Sequence, residues 1–409
     1  MTFGGGRTWQ TAPLPGLTPC AGSAEFLRAS DPWLDFAPNG DIFHMSLVVD
    51  RALIDLLLGQ ADSGRSALLV HKSVNGGVTW TGPVAVVDED FVGLHDKQSI
   101  TADPHDSDFA YAAWDRFDFD ANTGPALFVR TTDGGATWEP PTVLYDPGLD
   151  AQTLATQILV QPDGTLLAFF ADTAFLEDGD TYELVVARST DRGETWSAPT
   201  LIAPVQPSLN VAEPDTGDPI RGGEELFDVA NDPANGALYA VWQCPRFSPT
   251  NHEAVALSIS EDNGFTWSEP VRVNRTPDDV PPLQQQAFVP SVAVNSKGDV
   301  GVTYYDFRFN GPGNGASTDF WAVTCRPKPF SYCASPDAWS AEIRLTDQSF
   351  DLSTAPVAGG LFLGDYNGLA AWGDQFVSVF SVSSPNDPAN ALYHAFKHAP
   401  QGFAKGRQK

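Results

Sequence analysis

An eight-residue motif recurs along this chain of 409 residues, with the pattern Ser/Thr-x-Asp/Asn-x-Gly-x-Thr-Trp. Four intact copies occupy residues 73–80, 131–138, 189–196 and 260–267; a degraded copy lies at 2–9 and a partial one at 337–340. In such an octet Asp or Asn accepts backbone N–H bonds across a tight turn, Gly adopts a positive φ, and Trp anchors a hairpin. The tryptophans recur roughly every 60 to 70 residues, a period that indicates propeller blades or solenoid repeats.

Pairs of short apolar or alternating strands lie between the octets. Six such pairs, each around a cluster of turn residues, occur at 34–43, 100–111, 158–169, 227–239, 292–304 and 369–377. This pattern predicts β-hairpins. Each of the first five is followed by another strand, an octet or its remnant, and a further strand. The repeating unit is therefore predicted to contain four strands.

The sixth unit ends after its third strand, at 391–397, and lacks an octet and a fourth strand. The N-terminus offers both, at 2–9 and 11–17. We therefore predict an all-β fold: one domain over residues 1–409, a six-bladed β-propeller of four-stranded antiparallel blades whose last blade is closed by both termini. Because the chain starts inside an octet, the alternative is a seven-bladed propeller with an N-terminal segment missing.

The octet resembles the Asp-box, or bacterial neuraminidase repeat, and the chain resembles the sialidase-superfamily β-propellers. The resemblance covers nearly the whole length. It implies that the octets join the third and fourth strands at the blade periphery, away from the active site. Asp-boxes occur in sialidases, other glycan enzymes and non-catalytic propellers, so the octets indicate a fold and not an activity.

Charge narrows the classes of partner. The chain carries 23 basic and 52 acidic side chains, a net charge of −29. Such a surface repels phosphate backbones, so we expect no nucleic-acid partner, and the apolar runs are too short for membrane insertion. A glycan or acidic oligosaccharide is the expected partner, in an extracellular or periplasmic setting although no signal peptide opens the chain. Cys325 and Cys333 flank a short loop and are candidates for a disulfide bond.

If the octets mark one face, the starts of first strands and the ends of second strands mark the opposite one. Candidate substrate-binding residues there are Arg28, Arg116, Arg221, Arg246, Arg308, Lys97, Asp365 and Tyr366. Guanidinium groups bind carboxylates bidentately, so this cluster of arginines predicts an acidic sugar. Alternatively, Arg116 and Arg308 only pair with the neighbouring Asp115 and Asp306. Tyr304 and Tyr305 alternate along a strand, which predicts one in the core and one facing the opening.

Three functions fit these residues. The resemblance implies an exo-sialidase-type hydrolase in which Arg116, Arg246 and Arg308 clamp a carboxylate. Its catalytic candidates would be Tyr305 as nucleophile, Glu224 or Glu225 as the base that activates it, and Asp31 or Asp96 as acid. The family's Arg-Ile-Pro motif is absent, since Arg28 precedes Ala-Ser-Asp-Pro. A polysaccharide lyase acting beside a uronate would use His95, Lys97 or Tyr305 as base. A non-catalytic glycan- or protein-binding propeller is the third alternative.

No cofactor is required by these chemistries. Residues Asp118, Asp120 and Asn122 resemble the first ligands of a calcium-binding loop. The segment lacks the glycine at the sixth position and a clear bidentate glutamate at the twelfth. Calcium is therefore a minor alternative, and no metal ligand is assigned.

Overall fold

The computed structural model describes residues 1–3, 6–23, 25–177, 179–206, 211–223, 225–311, 313, 315–327 and 333–397. The chain divides into two compact units, Met1–Leu201 and Ile202–Lys409. The regular secondary structure of both is mostly antiparallel strand, as predicted. Helix α1 (Arg51–Leu57) has seven residues, and within the described ranges no helix is long and apolar enough to span a membrane.

Unit 1 contains three consecutive arrangements of four main strands, and the second has an additional strand of two residues. The first sheet consists of β1 (Arg28–Phe36), β2 (Ile42–Val49), β3 (Gly64–Ser73) and β4 (Val84–Phe91). The second consists of β5 (Gly93–Ala102), β6 (Ala110–Asp118), β7 (Thr123–Gly124), β8 (Ala126–Thr131) and β9 (Thr142–Tyr145). The third consists of β10 (Ala151–Val160), β11 (Leu166–Ala174), β12 (Thr181–Ser189) and β13 (Thr200–Pro204), in which the unit ends. The short strand β7 pairs in parallel with β10 and so joins the second and third sheets.

Unit 2 repeats the plan in two sheets with shorter fourth strands and one sheet of three strands. One sheet consists of β15 (Phe227–Asn231), β16 (Leu238–Cys244), β17 (Ala254–Ser260) and β18 (Val271–Arg272), and β14 (Ile220–Arg221) pairs with β24 (Leu361–Phe362). The next consists of β19 (Ala287–Val294), β20 (Val300–Asp306), β21 (Ser317–Cys325) and β22 (Ile343–Arg344), with β23 (Phe350–Asp351) beside β21. The last consists of β25 (Gly368–Trp372), β26 (Gln375–Ser384) and β27 (Asp387–Lys397). The blade count of six and the single domain stay predictions.

The N-terminal segment differs from the prediction. Residues 11–17 form no strand, and β27 pairs only with β26 among the described residues. Instead, Leu17 packs with Val48 and Leu69 on the first sheet, and the ring Nε2 of His71 lies 2.8 Å from the carbonyl oxygen of Pro15. The prediction that 11–17 is the fourth strand of the last blade is wrong, because burial of Leu17 in unit 1 holds the segment there.

Each intact octet joins the third strand of its sheet to the fourth, as predicted. In the copy at 131–138, Gly135 N donates to Thr131 Oγ1 at 2.8 Å, and Thr137 N donates to Asp133 Oδ1 at 2.9 Å. The copies at 73–80, 189–196 and 260–267 repeat both bonds. The degraded N-terminal copy keeps one of them, from Gly6 N to Thr2 Oγ1 at 3.0 Å.

The octets also contribute to packing between neighbouring sheets of unit 1. Trp138 contacts Phe43 edge-on, and Trp196 contacts Phe128 at 5.3 Å between ring centroids. Gly193 has φ 88°, and a Cβ there would lie 2.3 Å from the Phe128 ring, so only glycine fits. These tryptophans are half-buried, and each clamps a turn to the core of the preceding sheet.

The partial octet occupies the equivalent connection in unit 2, between β21 and β22. Residues Pro336–Ala338 form a single 3-10 turn, and the buried Trp339 donates from Nε1 to the Cys333 carbonyl at 3.1 Å. Cys333 forms a disulfide with Cys325, which confirms the pairing suggested by their spacing. A disulfide thus accompanies the connection in which the octet has been lost.

Candidate functional site in unit 1

A pocket of about 270 Å³ opens in unit 1, where β6 ends and β10 begins. This is the end of the strands opposite the octets, where the sequence predicts the site. The pocket combines aromatic rings with one carboxylate and two amides. The side chains that supply these groups are Phe117, Asp118, Phe119, Asn122, Gln152 and Phe175. Such a lining can bind the polar edge and the apolar face of one ligand.

The turn that follows β6 fixes Asp118 in the pocket wall. Its Oδ1 accepts from Ala121 N at 3.0 Å. Asn122 has a positive φ of 47°, a conformation that asparagine tolerates, and its Nδ2 donates to Asp150 at 2.6 Å. The Ala121 bond is local to the turn, whereas the Asn122 bond ties the turn to Asp150, which lies just before β10.

Arg116 joins two carboxylates beside the pocket. Its Nη1 lies 3.2 Å from Asp118 Oδ2, and its Nε lies 3.1 Å from Glu89 Oε2. The guanidinium also lies over the Phe91 ring, 4.2 Å from its centroid. The Ala121 amide, with Arg116, lowers the pKa of Asp118, so this carboxylate is ionised at neutral pH.

His95 lies behind this group. The ring is fully buried, its Nδ1 accepts from Trp114 Nε1 at 2.9 Å, and its Nε2 faces Glu89 Oε2 at 3.6 Å. Burial lowers the pKa of His95, so the imidazole is neutral. It is not open to a substrate proton, in contrast to the base role considered from the sequence.

Asp172, near the end of β11, has the opposite electrostatic character to Asp118. It is half-buried, and Tyr145 donates its hydroxyl to Asp172 Oδ2 at 2.8 Å. Burial raises the pKa of Asp172. The pKa of Asp118 at the end of β6 is thus lowered, and the pKa of Asp172 in β11 is raised.

Two other predicted site residues of unit 1 lie in β-bulges. Asp31 in β1 and Lys97 in β5 have positive φ values of 50° and 54°, and the register of each strand shifts there. Gln98 donates to the Asp31 carbonyl, and Asp96 accepts from the Lys97 amide at 2.8 Å. The remaining candidate, Arg28 at the start of β1, is exposed.

In unit 2, Arg308 is enclosed by acidic and aromatic neighbours. Only 7% of its side chain is exposed. Its Nε lies 2.6 Å from Asp306 Oδ2, its Nη groups bind both oxygens of Glu342, and its guanidinium covers the Trp321 ring at 3.9 Å. These contacts occupy the guanidinium of Arg308, so it is not available to a ligand carboxylate. The geometry supports the alternative in which Arg308 pairs with Asp306.

Tyr305 is also internal to unit 2. It packs between Phe288 and Phe320, and its hydroxyl bonds to Asn367 Oδ1 at 3.0 Å and to the Ser381 carbonyl at 2.8 Å. Burial raises the pKa of Tyr305 far above its usual range, which opposes a role as nucleophile. The neighbouring Tyr304 is buried too, so the prediction that one of the two tyrosines faces an opening is wrong.

The other candidates of unit 2 are dispersed. Arg221 and Asp365, both predicted to bind substrate, bind each other through two hydrogen bonds of 3.0 and 2.6 Å. Arg246 lies 3.8 Å from the exposed Glu269. Tyr366 and Glu225 are partly buried in loops, and Glu224 lies outside the described residues.

The structure gives no support to calcium in the segment that begins at Asp118. Asp118 and Asn122 are engaged by the contacts described above, and Asp120 is exposed. Across the described ranges, no three His, Cys, Asp or Glu side chains come together in a way that could hold a metal ion.

Glu89, Phe119 and Phe175 are not among the site residues predicted from the sequence. Glu89 lies near the end of β4, a fourth strand, and ends of fourth strands were not considered as site positions. Phe119 and Phe175 are exposed aromatics directly after β6 and β11, a signal that was present in the sequence.

Comparison with known proteins identifies the fold. No family model matches the chain. A curated xyloglucanase from Paenibacillus sp is 26% identical over 246 residues, which cover 57% of this chain and 21% of that protein, so the match spans about a fifth of the relative's length.

Three solved structures match over nearly the whole chain. A protein of unknown function from Dyadobacter fermentans DSM 18053 has a TM-score of 0.56 at 16% identity, covering 92% of this chain and 96% of its own. The Hadza microbial sialidase Hz136 has a TM-score of 0.53 at 15% identity, covering 91% and 66%. The intramolecular trans-sialidase from Ruminococcus gnavus has a TM-score of 0.52 at 11% identity, covering 91% and 95%.

Proposed function

Since this chain has the sialidase-type β-propeller fold, we propose that it is a glycoside hydrolase that binds a neutral glycan in the pocket of unit 1. The observation that carries the proposal is an ionised carboxylate, Asp118, in the wall of a pocket that the exposed rings of Phe119 and Phe175 also line. Sugars present hydroxyl groups at their edges and C–H groups on their faces. Carboxylate and amide groups suit the edges, and aromatic rings suit the faces.

The charge of the pocket favours a neutral sugar over an acidic one. Its nearest cation, Arg116, is already engaged by Glu89 and Asp118. An anionic sugar would therefore meet the Asp118 carboxylate without a cation to offset the repulsion. The similarity to a xyloglucanase agrees with a neutral substrate.

Hydrolysis needs one carboxylate that is ionised and one carboxyl group that donates a proton. Asp118, with its lowered pKa, fits the first role, and Asp172, with its raised pKa, fits the second. Phe175, three residues after Asp172, lines the pocket. The Cys325–Cys333 disulfide supports an extracellular or periplasmic location.

The exo-sialidase activity predicted from the sequence is the second hypothesis. It is supported by the likeness to two sialidase structures and opposed by the burial of Arg308 and Tyr305. Both hypotheses are tested by incubating the protein with xyloglucan, arabinan, a sialoside and a glucuronate polymer and identifying the products.

We expect new reducing ends from a neutral polysaccharide. Asp118→Asn should lower kcat/KM by about 100-fold or more, since it removes the charge near the reacting sugar. The matched control is Asp120→Asn, two residues away and exposed, which should stay within about twofold. Free sialic acid would establish the exo-sialidase instead, and an unsaturated product would establish the lyase. Binding without turnover, lost in Asp118→Asn, would establish a binding propeller.

A further inference from the structure

Glu89 is an exposed carboxylate that is held by one oxygen. Its Oε2 accepts from Arg116 Nε at 3.1 Å and faces His95 Nε2 at 3.6 Å, whereas its Oε1 has no hydrogen-bond partner among the described residues. The side chain is 42% exposed. One oxygen is therefore fixed by the protein and the other faces outward.

The tautomer of His95 explains how Glu89 is oriented. An indole N–H can only donate, so the bond from Trp114 Nε1 requires His95 Nδ1 to be the acceptor. The neutral ring then carries its proton on Nε2. That buried nitrogen makes no hydrogen bond within the described part of the chain and faces Glu89. The neighbouring imidazole, with Arg116, lowers the pKa of Glu89 to about 2.

Glu89 and the pocket are linked through a single guanidinium. Arg116 contacts Glu89 through Nε and Asp118 through Nη1, and Asp118 lines the pocket. The Phe91 ring supports the guanidinium from one side. The two carboxylates thus flank one guanidinium, with Asp118 in the pocket wall and Glu89 in β4.

We propose that Glu89 and Asp118, bridged by Arg116, form a second sugar subsite that accepts hydroxyl groups of a neutral sugar unit. This subsite deepens the proposed function and rests on it. Ionised carboxylates are strong acceptors for hydroxyl donors, and charge-assisted hydrogen bonds exceed neutral ones in strength. A sugar unit bound through Glu89 would lie next to the unit that contacts Asp118 in the pocket, so the substrate would be an oligosaccharide.

The arrangement also makes Glu89 a specificity-determining residue. While Glu89 is present, Arg116 is paired with two carboxylates, and the excess negative charge repels an acidic sugar. With Gln at position 89, Arg116 retains only Asp118 as an ionised partner and can offer part of its guanidinium to a ligand carboxylate. The substitution should therefore change the affinities for neutral and acidic sugars in opposite directions.

The test is calorimetric binding to wild type, Glu89→Gln and Glu139→Gln, with a xyloglucan oligosaccharide and N-acetylneuraminic acid as probes. Glu139 is a matched control because its Oε2 accepts from Arg130 Nε at 2.9 Å and its side chain is 46% exposed, but it follows an octet. Circular dichroism confirms that each variant is folded. We expect Glu89→Gln to lower the affinity for the neutral probe about tenfold or more and to raise the affinity for the acidic probe. Glu139→Gln should leave both affinities unchanged.

Three results would count against these assignments in distinguishable ways. If the wild type binds the neutral probe and Glu89→Gln binds it equally well, the subsite is overturned and the proposed function stands. Equal loss in Glu89→Gln and Glu139→Gln would overturn it too, because it would indicate a nonspecific charge effect. Absence of neutral-probe binding by the wild type would overturn the proposed function, and this subsite with it.

Discussion

Arg308→Ala separates a structural arginine from a ligand-binding one. The substitution removes the cation between Asp306 and Glu342, both of which are largely buried. Breaking a buried ion pair by deleting one partner costs about 3–5 kcal/mol, because the other charge is left uncompensated. Asp306 keeps donors from Trp321 Nε1 and Thr276 Oγ1, and Glu342 keeps the Tyr304 hydroxyl. The loss in unfolding free energy should therefore lie near the lower limit, at about 3 kcal/mol.

The cost should also depend on pH in a defined direction. Burial already raises the pKa of Asp306 to about 6 in the presence of Arg308, and removal of the guanidinium raises it further. A group whose folded pKa is raised favours the folded state at low pH and opposes it as pH rises through that pKa. The unfolding free energy of Arg308→Ala should therefore fall further below that of the wild type at pH 8 than at pH 5.

Urea denaturation followed by tryptophan fluorescence at pH 5 and pH 8 measures both effects. Arg51→Ala is the control, since Arg51 pairs with Asp55 on an exposed helix surface and should change stability by less than about 1 kcal/mol. Glycan affinity of folded Arg308→Ala should equal that of wild type. Loss of affinity with wild-type stability would refute the structural interpretation and return Arg308 to the clamp predicted from the sequence.

Two further substitutions test the packing of unit 1. Trp196→Ala should lower the unfolding free energy by about 2–3 kcal/mol, which is less than for a fully buried tryptophan, and should leave glycan affinity unchanged. The control Trp372→Ala, at a site that is 69% exposed, should change the unfolding free energy little. Altered affinity with unchanged stability would place the octet at the binding site. Burial lowers the pKa of His44 from 6.5 to about 4, so this residue should contribute about 3 kcal/mol to the unfolding free energy that is present above pH 6.5 and lost toward pH 4. The stability of His44→Gln should therefore fall less steeply than that of wild type over this interval, and parallel curves would exclude the assignment.

The octets could be placed from the sequence because all of their bonds are local. Thr131, Asp133 and Gly135 complete their turn within eight residues, and the same contacts recur wherever the pattern recurs. Alternating hydrophobicity likewise predicted the strands on both sides of each turn. Residues 11–17 could not be placed in this way, because their position depends on the distant Val48, Leu69 and His71.

The failure at Tyr304 and Tyr305 has a different physical cause. Alternation along a strand predicts opposite environments only when one face of the sheet is exposed. β20 lies in a sheet that is covered on both faces: Tyr304 belongs to one apolar cluster of unit 2 and Tyr305 to another. Both rings are therefore buried, and the pattern alone could not show which tyrosine was available.

Adjacent residues at the end of β6 show why a candidate site could be approached but not resolved. Asp115 is buried, and its carboxylate accepts from Thr153 Oγ1 at 2.6 Å and from Thr156 Oγ1 at 2.9 Å. These two threonines lie on either side of the bulge in β10, where Ala155 has a φ of 60°. The next residue, Arg116, reaches Glu89 and Asp118 instead. The sequence identifies the end of the strand, but the division of roles between the two residues depends on a bulge in the neighbouring sheet. The bulge lets both Thr153 and Thr156 reach Asp115, although residues three apart in a regular strand point to opposite faces, and the sequence of β6 does not contain this information.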